Sequence, residues 1–124
     1  MSRPFIVLGS LNAMLAVILG AFGAHALRGR LPAVMLGVWH TAEQYQFLHA
    51  LGLIGIGLLA LHLPGKSLLK TAGWLMFAGI VLFCGSLYLL ALTRVHWLGF
   101  ITPFGGMAFI ISWLLVAVSV WKCE

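Results

Sequence analysis

From Pro4 to Leu27 no side chain carries a formal charge, and the same holds from Gln44 to Gly65, from Thr71 to Thr93 and from Val95 to Trp121. Nothing else in the chain limits its fold as strongly. A hydrocarbon layer about 30 Å thick takes about 20 helical residues to cross, and each stretch contains a run of that length. The expected spans are residues 5–27, 45–63, 71–92 and 104–121. Barrel strands would alternate polar and apolar side chains over roughly ten positions, and these runs do not alternate. The fold class that follows is all-α: a polytopic membrane protein, a four-transmembrane-helix bundle forming a single integral membrane domain over residues 1–124.

Composition excludes the other classes. Hydrophobic residues make up 63% of the chain and charged ones 7%, too few charges to cover a water-facing surface and too many apolar groups for disorder. The seven Lys and Arg residues outnumber two acidic ones, but they are scattered over connections and ends. Recognition of a phosphate backbone needs them clustered, so membrane lipids are the expected partners and nucleic acid is not. Arg3 and Ala24-His25-Ala26 imitate a cleavable leader, yet the apolar stretch exceeds the roughly 7 to 15 residues of such a segment, which favours a retained span. Cys84, inside an apolar run, and Cys123, near the end, are expected as free thiols. With four spans, Arg3, Lys66, Lys70 and Lys122 share one side and Arg28, Arg30 and Arg94 the other, a slight bias that places both termini in the cytoplasm.

Residues 31–46 are the least hydrophobic stretch, with Trp39, His40, Thr41, Glu43, Gln44 and Tyr45. Helical periodicity runs from Ala33 into the second span, and thirty helical residues would be about 45 Å long. The surplus is expected as a short interfacial amphipathic helix between spans 1 and 2. On a helix Glu43, Gln46 and His49 read as one face, with Trp39 a turn earlier. His25 ends the first span on the same side of the membrane. Because ionisable groups in a membrane are costly, His25, Glu43, Gln46 and His49 form the candidate polar cluster, with Arg28 or Arg30 as further partners for the carboxylate. Mutual satisfaction across helices, about 0.6 kcal/mol per bond, is the plain explanation, and a proton or solute path through Glu43 and a histidine the functional one. Two histidines at similar depth do not make a haem pocket. His40, His49 and His62 lack the H-E-x-x-H spacing of zinc sites. No metal or cofactor is therefore expected.

Small residues carry the second signal. Ala16, Gly20 and Ala24 recur every four residues, Gly52, Gly55 and Gly57 thin the second span, and Ala78, Leu82 and Ser86 share a face of the third. Such faces let helices approach closely in lipid, and the first suggests a homo-oligomer or a membrane-protein partner. Ahead of the fourth span, Thr102 is placed to cap the helix and Pro103 to begin it. Thr102, Gly105 and Gly106 mark a helix N-terminus that is a candidate lipid-phosphate site. Trp39, Trp74, Trp97 and Trp121 fall near span ends, as an interfacial belt requires, and Trp113 is expected to be buried against a neighbouring helix. No serine lies in a G-x-S-x-G context and no nucleophile has a base beside it, so an enzyme is not expected.

Four blocks also resemble a known group along nearly the whole chain: Gly20-Ala21-Phe22-Gly23-Ala24-His25-Ala26-Leu27; Trp39-His40-Thr41-Ala42-Glu43-Gln44-Tyr45-Gln46 with His49-Ala50-Leu51; Phe83-Cys84-Gly85-Ser86-Leu87-Tyr88; and Ile101-Thr102-Pro103-Phe104-Gly105-Gly106. They resemble the domain of unknown function 423 family of small inner-membrane proteins, whose relatives include a small mitochondrial transmembrane protein. The resemblance implies a four-span protein of the bacterial inner (plasma) membrane and brings no agreed activity. The functional expectation is a structural or binding component of the membrane or envelope. The rival is a small oligomeric transporter or channel, proton-linked through Glu43.

Overall fold

The computed structural model describes residues 2–122. Its elements are α1 (Ser2–His25), α2 (Ala33–His62), α3 (Ser67–Gly79), a π turn (Ile80–Cys84), α4 (Gly85–Thr93), a 3-10 turn (His96–Phe100) and α5 (Thr102–Trp121). The third span is α3, the π turn and α4 taken together, so among the described residues four apolar helices are long enough to cross a membrane. Cys123 and Glu124 lie outside the described residues, and with them the expectation of a free thiol at Cys123. Cys84 is free and buried.

Turn chemistry sets the connections. Gly29 (φ 85°) and Gly65 (φ 81°) take left-handed conformations, which glycine adopts without steric cost. Arg94 ends α4 at φ 59°, its N–H returning to the Leu90 carbonyl at 2.8 Å.

Packing inverts the pattern of a water-soluble bundle. On α1 the inward stripe is Phe5, Gly9, Ala16 and Gly23, while Val7, Leu11, Met14, Val17 and Ile18 point outward. Hydrocarbon outside leaves close contact between small residues to hold the helices together. α2 is the hub: it packs along α1 on one flank and against α3, the π turn and α4 on the other, and α3 packs on α5. Phe5, Ala42, Leu53, Ile56, Leu69, Ala72, Met76, Ile80 and Phe109 form the core between them.

Three expectations change. The 30 residues of α2 form one uninterrupted helix, so no separate interfacial helix precedes the second span. Trp39 pins this amino-terminal part to α1: it is 3% exposed and donates its Nε1–H to the Leu19 carbonyl at 2.9 Å, so it belongs to the core and not to an interfacial belt. The π turn adds a residue to the third span and breaks the face Ala78, Leu82 and Ser86, leaving Leu82 exposed and Ser86 buried.

Candidate functional site

Three residues on a helix advance about 300°, falling about 60° short of a turn. Glu43, Gln46 and His49 therefore fan through about 120°, and their side chains leave α2 toward different neighbours.

Gln46 and His49 straddle the midpoint of α2, deep in the span. Gln46 faces α1 and α4. Its amide donates to Asn12 Oδ1 at 3.1 Å and its carbonyl accepts from the Tyr88 hydroxyl at 2.7 Å, while Asn12 donates to the Leu8 carbonyl at 2.9 Å. One buried amide thereby joins three helices. Sequence reasoning missed Asn12 and Tyr88 as members of this chain; the signals were one Asn in the first span and the Tyr that closes the block Phe83-Cys84-Gly85-Ser86-Leu87-Tyr88.

His49 faces α5. Its Nδ1 lies 2.8 Å from the Tyr45 carbonyl, which only accepts, so Nδ1 bears the proton and Nε2 accepts from Trp113 Nε1–H at 3.1 Å. The ring stacks on Phe109 at 3.6 Å between centroids. Both nitrogens are satisfied in the neutral form. Trp113, expected to be buried against a neighbouring helix, touches His49 through its indole N–H edge but is 44% exposed, so that burial is not found.

Glu43 faces α1, where Gly20 makes room for it: a methyl group on Gly20 would come within 2.6 Å of Glu43 Oε2. Oε1 contacts His40 Nδ1 at 2.6 Å, and that half-exposed histidine is its only ion-pair partner among the described residues. Oε2 is buried without a hydrogen-bond partner among the described residues. Beside the pair lies a groove of about 410 Å³ lined by Ala16, Val17, His40, Glu43, Gln44 and Phe47.

His25, expected in the same cluster, is exposed at the last residue of α1. Trp39, lodged against Gly23 and bonded to Leu19, fills the space beneath that end of the helix. Arg28 and Arg30 lie in the exposed turn beyond and form no ion pair with Glu43.

Thr102, Gly105 and Gly106 sit in a helix seam. Ser86 donates to its own Phe83 carbonyl at 3.0 Å, so the 2.6 Å contact between Ser86 and Thr102 is donated by Thr102. Thr102 therefore ties α5 to α4 and makes no capping bond. Gly105 is buried on the backbone of Phe83, and Gly106 flanks the same ring. The amides of Phe104 and Gly105 turn back to the Ile101 carbonyl, so this helix start is engaged by its own chain.

The face Ala16, Gly20 and Ala24, offered above for self-association, is largely spent within the protomer. Ala16 is buried and Gly20 lies under Glu43, leaving Ala24 exposed.

Residues 19–106 match the family described as "Protein of unknown function (DUF423)". The chain is 58% identical over 120 residues to the UPF0382 membrane protein YwdK of Bacillus subtilis, covering 97% of this chain and 98% of that one. It is 52% identical over 122 residues to the UPF0382 membrane protein SERP0230 of Staphylococcus epidermidis, covering 97% of each. With SSP2132 of Staphylococcus saprophyticus, also a UPF0382 membrane protein, identity is 49% over 122 residues, covering 97% of this chain and 98% of the relative. No solved structure matches. The matched region contains every polar group of the three-way fan on α2, and the chain belongs to the DUF423 family, as a small multi-pass membrane protein of unknown activity.

Proposed function

We propose that this protein is a binding component of the membrane whose site is the groove between α1 and α2 at Glu43 and His40. The observation that carries this reading is the carboxylate itself, with one oxygen buried and undonated and no Lys or Arg beside it. Taking a charge out of water costs several kcal/mol unless a partner compensates it, and membrane proteins keep such groups where a ligand or ion passes. The amide chain at Gln46 and the histidine at His49 are satisfied by their neighbours, which is what holding helices together requires. Val17 and Phe47 open the groove toward lipid, so an amphiphile dissolved in the bilayer reaches Glu43 without crossing the bundle.

Dicyclohexylcarbodiimide, which partitions into hydrocarbon and adds to carboxyl groups, tests this access. In intact membranes it is expected to modify Glu43, mapped by peptide mass, while a water-soluble carbodiimide leaves that residue unmodified. No adduct on Glu43, or equal modification by both reagents, would overturn the reading.

The same pair supports a second reading, a small oligomeric transporter with Glu43 as its proton-linked group. The 2.6 Å His40–Glu43 contact sets an imidazole against a carboxylate beside the groove. A flux in reconstituted liposomes that disappears with Glu43→Gln would favour transport over binding alone.

A further inference from the structure

Resting on the groove as a ligand site, we infer that its occupant is a lipophilic monocation, an apolar or aromatic body carrying one positive charge that arrives from the bilayer.

Charge comes first. Glu43 is the only acidic side chain among the described residues, and none of the seven Lys and Arg side chains pairs with it. His40 holds Oε1 and leaves Oε2 without a donor among the described residues. One carboxylate is too little for Ca²⁺ or Mg²⁺, which need several oxygen ligands, and among the described residues no three His, Cys, Asp or Glu side chains converge. An organic cation needs only the one.

The walls select the body of that cation. The space is about 410 Å³, within the roughly 300 to 1,000 Å³ of small-molecule sites. Ala16, Val17 and Phe47 supply apolar surface, and an exposed Phe ring attracts a cation over its face. Depth argues against the amine of an ordinary zwitterionic phospholipid. The carboxylate lies under Gly20, five residues before the end of α1 at His25, which is about 7.5 Å inside the helix end. In such a lipid the phosphate lies deeper than the amine, so an amine seated on Glu43 would drag a phosphate further into hydrocarbon. A monocation without a phosphate carries no such penalty.

Tetraphenylphosphonium, with tetraphenylborate as the anion of the same shape, is the probe for purified full-length chain in detergent. The expected result is saturable binding of the cation, weakened roughly tenfold or more by Glu43→Gln, kept in part by Glu43→Asp, and lost in Val17→Trp, which fills the groove and spares the carboxylate. Thermal melting verifies that each variant is folded. The cation, and not the anion, should also protect Glu43 from dicyclohexylcarbodiimide. Equal cation binding by wild type and Glu43→Gln, or equal protection by the anion, would overturn the inference. Labelling of Glu43 that the cation leaves unchanged would overturn it while sparing the groove as a site; an absence of labelling would remove both.

Discussion

The seam between α1 and α2 and the seam between the third span and α5 use the same device and end in opposite states. Both set glycines where two helices touch. Across the second, Gly79 receives the Phe109 ring, Gly105 lies on the Phe83 backbone, and Ser112 donates to the Ala72 carbonyl at 2.7 Å. That seam is closed by apolar rings and the Ser112 hydroxyl, and the buried atom on α5 without a partner among the described residues, Ser119 Oγ, is an uncharged hydroxyl. Across the first, Gly9 meets the Ala50 carbonyl and Gly23 meets Trp39, but Gly20 receives a carboxylate with an unpaired oxygen. A glycine thus fixes how closely two helices approach, and the residue opposite decides whether the contact is only structural.

The largest expected effect separates the two seams. Gly105→Ala drives a methyl group into the Phe83 backbone, which cannot yield without parting the helices, and a cost of about 3 kcal/mol is expected. Gly20→Ala meets only the flexible end of Glu43 and should cost less than about 1 kcal/mol, turning the carboxylate out of its niche. Unfolding of both variants in detergent, followed by circular dichroism, measures the contrast. Equal losses would mean that the α1–α2 seam is as closed as the other.

Next comes the polar chain at mid-span. Gln46→Leu strands Asn12 and the Tyr88 hydroxyl, at an expected cost of about 1 to 2 kcal/mol. Adding Tyr88→Phe removes one stranded group, so the double variant should lose less than the sum of the two single ones. Additive losses would show that Gln46 and Tyr88 are not coupled.

These contrasts mark what the amino acids disclose. The four spans were legible because an uncharged run of about 20 residues in lipid has essentially one helical solution. The π turn was not: the run Ile80–Cys84 carries no local mark of it, and its Phe83 backbone lies against Gly105 of another span. Of the candidate cluster, Glu43, Gln46 and His49 were recognisable as polar groups in costly places, but a step of three residues was read as one face when it turns each side chain about 60° from the last. His25 was misplaced for another reason: the carboxylate lies against Gly20, five residues before His25, and Trp39 occupies the space under that end of α1. Depth can be counted along a sequence; direction around a helix must also satisfy the neighbours.

The smallest expected effects sharpen the comparison furthest. If Glu43 held α1 to α2, neutralising it would destabilise the bundle. Its bonded partner is instead His40, a half-exposed residue one turn away on the same helix, and an exposed pair of that kind contributes at most about 1 kcal/mol. Against that small loss stands relief of the second carboxylate oxygen, buried on Gly20 without a donor among the described residues. Glu43→Gln, close in shape and uncharged, should therefore melt within about 0.5 kcal/mol of wild type, on either side. His25→Ala, exposed at the end of α1, should move the melting curve less still. A clear loss for Glu43→Gln, comparable with that of Gln46→Leu, would make the carboxylate a structural link like the amide three residues on. A flat result, together with loss of carbodiimide modification, would show that the first seam holds without Glu43 and leaves the carboxylate free for a ligand.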